Sequence, residues 1–255
     1  MYQTISVERR GPIAELWLNR PEKLNPLSLA TLRELTAAAT ALNKEREIRA
    51  VIVGGRGRCF SAGADLAGFP ESGSSDARDA ADAGRVMADA IEGLNAISIA
   101  RLHGWCVGGG LVLAAACDLR IATNDTQFSI PEVDLGIPLA WGGIPRLVRE
   151  IGPALTKELV ITCRPFDSAE ALRAGFLNKV VSADELDDAV KHLADEVVKR
   201  PRFPVEATKR QVDAITAAQI GLQRSWADAD SLLSGMSDPE CIESRKRYLA
   251  ARGHS

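Results

Sequence analysis

Histidine is scarce in this chain: of 255 residues only His103, His192 and His254 carry an imidazole, and they lie far apart. The five cysteines (Cys59, Cys106, Cys117, Cys163, Cys241) are odd in number and scattered, with no C-x-x-C pair among them. Neither a zinc site nor a disulfide framework is supported, and isolated cysteines of this kind are expected as small core residues. Long apolar runs are missing too; the longest, from Leu111 to Cys117, is far too short to cross a bilayer. Positive charge is not in excess, since 31 Lys and Arg stand against 34 Asp and Glu for a net charge of -3. No basic stripe alternates with aromatics, which argues against a general nucleic-acid binder. The first ten residues show no apolar h-region and no cleavage site, so a cytoplasmic location is expected.

What remains is ordinary for a globular protein: 46% hydrophobic and 25% charged residues. The length suits one large domain or two smaller ones, with a substantial core either way. Residues 4–9 and 13–19 alternate as strands around Gly11-Pro12, and a proline-bounded loop follows from Arg20 to Pro26. Ser28 is placed to cap a helix carrying Leu29, Leu32, Leu35, Ala39 and Leu42 on one face. Residues 50–54 read as a buried strand, 70–76 as a polar surface loop, and 79–95 as a helix. Strands are expected at 99–102, 119–122 and 127–130. Beyond Gly136 helical patterns dominate, at 144–150, 154–162, 169–174, 186–199 and 205–217, with a last helix opened by Asp238-Pro239. Asp167 with Glu170, and Ser182 with Glu185, have the spacing of capping boxes. Strand-helix alternation followed by a helical final third implies an α/β core with a helical appendage.

Chemistry concentrates in two glycine-rich turns. The stretch from Gly104 to Asp118 runs through Gly108, Gly109 and Gly110 into an uninterrupted apolar segment. It reads as a tight turn into the N-terminus of a buried helix, where the first amides lack intrahelical partners. The second turn, Cys59-Phe-Ser-Ala-Gly-Ala-Asp-Leu66, follows the strand ending at Gly54. Two backbone amides from separate turns, aimed into one crevice, are the minimum equipment for an oxyanion hole.

These segments, with Leu18-Asn-Arg-Pro-Glu-Lys-Leu-Asn25, Phe128-Ser-Ile-Pro-Glu-Val-Asp-Leu-Gly136, Gly142-Gly-Ile-Pro-Arg-Leu147 and Ala171 to Val180, resemble the crotonase (enoyl-CoA hydratase/isomerase) superfamily in order and over nearly the whole chain. The resemblance implies a crotonase-like (ClpP/crotonase) α/β fold of repeated ββα units forming two roughly perpendicular sheets. It also implies a core over 1–195 and a C-terminal helical region, 196–255, used to assemble homotrimers or hexamers. The implied substrate is an acyl-CoA thioester; coenzyme A belongs to the substrate and no separate cofactor or metal is expected. The oxyanion hole falls on the amides of Ala64 and Gly109. Lys23, Leu24, Ala62, Asp65 and Leu66 match positions that hold coenzyme A, and Val112, Leu139 and Trp141 the acyl pocket.

Hydratases of the family use two glutamates. The second corresponds to Glu132, but the first corresponds to Val112, which can neither accept nor donate a proton. One carboxylate with an oxyanion hole resembles the Δ3,Δ2-enoyl-CoA isomerase arrangement, with residual hydratase activity possible. A β-oxidation enoyl-CoA hydratase and a non-catalytic acyl-CoA binder are the alternatives. Ala140 stands where a dienoyl-type isomerase would carry a further carboxylate, and Asp134 is a weak reserve. Among the other residues, Asp65 is expected to fix its turn, Asp118 to end a helix or pair with Arg120, Trp105 to lie in the core, and His103 to satisfy a backbone carbonyl. Two motifs fall short: Gly54-Gly-Arg-Gly lacks a glycine of the dinucleotide fingerprint, and Cys59-Phe-Ser-Ala-Gly63 misses the nucleophile elbow by one residue.

Overall fold

The computed structural model describes residues 2–65, 76–221, 225 and 227–251. Strands β1 (Ile5–Arg10) and β2 (Ile13–Leu18) form an antiparallel hairpin. Its turn is made by Gly11, at φ +60°, and Pro12. A short 3-10 turn (Pro21–Lys23) and helix α1 (Leu29–Leu42) lead to β3 (Ala50–Gly55), and α2 (Ala77–Glu92) leads to β4 (Ile97–Leu102). The chain continues through β5 (Trp105–Val107), α3 (Gly109–Ala115), β6 (Leu119–Thr123) and β7 (Gln127–Ser129). After α4 (Gly143–Thr162), β8 (Phe166–Asp167), α5 (Ser168–Arg173) and β9 (Lys179–Val181), it ends in α6 (Leu186–Lys199), α7 (Arg202–Ile220), α8 (Asp228–Ser237) and α9 (Pro239–Ala250).

Two sheets result, one ordered β1-β2-β3-β4-β6-β9 and one ordered β5-β7-β8. From β2 to β9 the larger sheet is parallel, each strand feeding a helical crossover. Every residue of β2 and of β3 is buried, as expected for strands covered on both faces. The period of two divides β3 cleanly. Val51 and Val53 join the main core with α1, α2 and α3, while Ala50 and Ile52 face α6 with Ile99, Ile121, Leu186 and Val190.

Most expected elements appear within two residues of their predicted ends. Ser28 caps α1 by accepting from Thr31 N, and Asp238 caps α9 by accepting from Cys241 N. The separate helices expected at 144–150 and 154–162 are the two arms of α4, which breaks at Gly152 (φ 75°, ψ 166°) before Pro153. Three expectations are corrected, and one helix was not foreseen. Trp105 is 48% exposed, because in the short strand β5 it is Cys106 that faces inward. Asp118 pairs with Lys209 at 2.7 Å and accepts from Ser98 N and Oγ, while Arg120 pairs with Glu150. Glu185 is itself the N-cap of α6, and Ser182 Oγ donates to its carboxylate instead of capping. Helix α8 had no counterpart in the sequence reading; its ten residues offer no side-chain N-cap to mark the start. Helix α2 begins two residues before the expected start at 79 and ends three before 95; most of the expected surface loop, 70–75, lies outside the described residues. No helix among the described residues is long and apolar enough to cross a membrane.

Candidate active site

Asn25 builds the first wall. Its buried side chain accepts from Arg20 N (3.0 Å) and donates to the carbonyls of Arg56 (2.8 Å) and Cys59 (3.0 Å), binding the loop after β2 to the turn after β3. Leu24 and Asn25 both adopt positive φ, 63° and 53°. The second turn is then laid along the first: Ala62 N donates to Leu24 O, Leu27 N to Gly63 O and Asp65 N to Leu27 O. In an extended segment successive amides point to opposite sides, so a chain whose Gly63 carbonyl and Asp65 amide face Leu27 turns its Ala64 N–H the other way. Among the described residues that N–H has no acceptor.

The opposite wall is the start of α3. Gly108, at φ 48° and ψ -115°, donates to Ser129 O, and its carbonyl receives the first helical bonds from Leu111 N and Val112 N. The Gly109 N–H precedes those bonds and, among the described residues, also lacks an acceptor. Close packing dictates the glycines. A methyl at Gly110 would press on Ser61 Cβ at 2.8 Å, and one at Gly108 would overlap Glu132 Oε1.

Glu132 sits in the turn closed by Leu135 N to Pro131 O and Ile137 N to Glu132 O. It is 8% exposed, and its Oε2 is buried without a hydrogen-bond partner. Burial in apolar surroundings disfavours the charged form and pushes its pKa up to about 7. Ala64, Gly109, Val112, Glu132, Leu139 and Trp141 line one cavity of about 30 Å³, which Ile137, Pro138, Ala140 and Leu232 complete. Among the described residues, Glu132 is the only ionisable one in that lining.

Seven of the residues singled out from sequence are therefore brought together, Ala140 among them as the site position without a carboxylate. The three additional wall residues were missed; Ile137 and Pro138 lie beside Leu139 in sequence, whereas Leu232 comes from the unforeseen α8 and carried no local signal. Lys23, Leu24, Ala62 and Asp65 lie in the paired loops behind the Ala64 wall and do not line the cavity, with Lys23 exposed and Asp65 3.9 Å from Arg20. Leu66 lies outside the described residues. Ser61, the nucleophile of the elbow alternative, is fully buried: its Oγ donates to Asn25 O (2.8 Å) and accepts from Gly63 N (3.1 Å). His103 serves the Gly57 carbonyl at 2.8 Å, as expected of it, and so is no base for Ser61.

A larger cleft, about 750 Å³, lies elsewhere, between α7 and the edge of the core near Asp118. Its Lys209 and Asp118 neutralise each other, as do Arg149 and Glu150, and the Cys117 thiol there is pushed up to about 12 by burial. It offers less chemistry than the small cavity, whose carboxyl is unpaired.

The buried carboxyl has a measurable thermodynamic consequence. Between the ordinary value of 4.5 and about 7 the unfolded chain releases this proton while the folded chain keeps it, so stability falls as pH rises through that window and is flat above it. At about 1.4 kcal/mol per pH unit the loss amounts to roughly 3 kcal/mol. Glu132→Gln has nothing to ionise, so urea denaturation should show it gaining on the parent protein by up to that amount between pH 4.5 and 8. A stability difference independent of pH would contradict an apolar setting for the carboxyl.

The fold is a two-sheet α/β architecture, and its small cavity sets one buried, unpaired carboxyl in a lining shared with Ala64 and Gly109, whose N–H groups have no acceptor among the described residues. Comparison with known proteins gives the family. A family model described as enoyl-CoA hydratase/isomerase matches residues 8–254, and the chain belongs to that family. It is 35% identical over 238 residues to a crotonyl-CoA hydratase of Syntrophomonas wolfei, covering 93% of this chain and 88% of that protein. It is 34% identical over 210 residues to a short-chain-enoyl-CoA hydratase of Clostridium acetobutylicum, covering 82% and 80%. Among solved structures, an enoyl-CoA hydratase/isomerase from Xanthobacter autotrophicus Py2 superimposes with a TM-score of 0.86 at 28% identity, covering 99% and 94%. The crotonase-type fold expected from sequence is thereby established.

Proposed function

We propose that the protein acts on an acyl-CoA thioester, holding the thioester oxygen between the Ala64 and Gly109 amides and moving one proton with Glu132. The observation that carries this reading is the single orphaned carboxyl, with a pKa of about 7, in the cavity that both amide-bearing residues line. Its most economical reaction is double-bond migration. The Glu132 carboxylate takes a proton from C2 of a 3-enoyl thioester, and the electron pair left behind delocalises onto the thioester oxygen. The amides stabilise that enolate more than the neutral carbonyl, which is what accelerates the step. Glu132, now protonated, returns the proton at C4, and the double bond ends between C2 and C3. A carboxyl with a pKa near neutrality suits both halves, being a usable base and a usable acid in the same cycle.

Hydration is the second reading, favoured by the hydratase names of the relatives above. It would require water to be both activated and used to protonate C2 with one carboxyl, since Val112, 1% exposed, presents only methyl groups to the cavity.

Incubation with matched 2-enoyl and 3-enoyl thioesters separates the readings. Isomerisation of the 3-enoyl series at least tenfold faster than hydration of the 2-enoyl series is expected. Dominant hydration would replace this reading by the second, and tight binding without conversion would leave a binder. Val112→Glu restores a second carboxyl and should raise hydration more than isomerisation. An unchanged ratio in a folded variant would remove position 112 from the argument.

A further inference from the structure

We infer that Trp141 is the stop that limits acyl length and makes short-chain thioesters, of about four carbons, the substrate class. This rests on the acyl-CoA reading above and deepens it. The indole lines the cavity beside Val112 and Glu132, yet it is only 5% exposed, although it belongs to the loop before α4. Its ring is seated between two helices whose facing residues are both glycine. A methyl on Gly84, in the middle of α2, or on Gly109, at the start of α3, would overlap the ring. Glycine inside a helix costs stability. At Gly84 that cost leaves room for the indole.

The ring is held there by dedicated contacts. Trp141 adopts φ 60°, a backbone conformation that a bulky residue rarely takes without support. Gly142 N donates to Asp228 Oδ2 of α8 at 2.7 Å. Arg146 Nη1 donates to the carbonyls of Trp141 (3.4 Å) and Gly142 (3.2 Å). The other end of that guanidinium is anchored on α2 through Asp89 (2.8 Å) and Glu92 (2.7 Å). Three helices thus fix one left-handed turn, and what the turn delivers is the indole against the cavity. Arg146 and Asp228 are positioning residues for it.

Size then decides the substrate. The cavity measures about 30 Å³, roughly one-fifth of an apolar cavity that admits benzene. A few carbons beyond the thioester fill it, and a ten-carbon chain meets the indole instead of free space.

The test compares kcat/KM for matched four-carbon and ten-carbon enoyl-CoA thioesters, and calorimetric binding of butyryl-CoA and decanoyl-CoA. The parent protein is expected to prefer the short chain by at least about 100-fold, a discrimination steric exclusion supplies readily. Trp141→Ala should shrink that preference at least about tenfold, with Trp141→Phe between the two. Ten-carbon and four-carbon substrates handled within threefold of each other by the parent, or a preference unmoved in both variants, would overturn the stop while leaving the acyl-CoA reading intact. Should the variants fail to fold, the parent's binding series decides alone, equal affinities counting against the stop. Absence of both turnover and binding with every thioester overturns the acyl-CoA reading and the stop with it.

Discussion

Turnover of enoyl-CoA falls by about 10²- to 10⁴-fold when Glu132 is replaced by alanine, the range expected for losing one positioned acid/base. On the proposed mechanism the loss should appear in kcat, because that reading assigns proton transfer to Glu132 and ground-state binding of the thioester to the two amides and the apolar walls. Affinity for a saturated acyl-CoA should stay within a few-fold of the parent. Glu132→Gln should be equally inactive, since an amide matches the size of the carboxyl but cannot take the proton. The parent's own pH profile carries the same information. With a carboxyl pKa of about 7, the base is mostly protonated in mild acid, so kcat/KM should rise about tenfold per pH unit below 7 and level off above it. A Glu132→Ala protein turning over at the parent rate would leave the single-carboxyl mechanism without its acid/base. A flat pH profile would leave the buried setting of that group unexplained.

The second large effect concerns stability. Arg120→Met should lower the unfolding free energy by about 3 kcal/mol or more, measurable by denaturant titration. Arg120 lies on β6, and its side chain is 4% exposed. Its guanidinium donates to Phe176 O (2.5 Å) and Cys117 O (2.6 Å), reaches Ala114 O at 3.4 Å, and pairs with Glu150 at 2.5 Å. Two of those carbonyls end α3, so a positive charge closes the C-terminal end of the helix whose first turn faces the cavity. Methionine preserves much of the length and apolar contact but leaves buried carbonyls without donors. Glu150 keeps Arg149 at 2.7 Å as a partner, so the effect isolates Arg120 and is not simply that of an orphaned carboxylate. A loss below about 1 kcal/mol, the scale of a surface pair, would show that water or rearrangement satisfies those carbonyls.

The parts that local physics controls were legible along the chain. The hairpin strands β1 and β2, the apolar runs of β3 and β4, the Ser28 and Asp238 caps and the two arms of α4 are decided within a few residues of chain, and they fell close to where they were expected; that Gly152 joins those arms in one kinked helix came from the structure. The order of the motifs carried the resemblance to the family, and Ala64, Gly109 and Glu132 came with it as the positions that resemblance implies. Whatever depends on which surfaces meet was not legible there, because the partners come from distant segments. Trp105 and Trp141 are both tryptophans in short segments, yet one faces outward from a three-residue strand and the other is locked between Gly84 and Gly109. Asp118 finds Lys209 from α7 ninety-one residues away, not its neighbour Arg120. The pKa of Glu132 is likewise invisible along the chain: an isolated carboxyl titrates near 4.5, and only the walls assembled from remote segments remove the water that would keep it there.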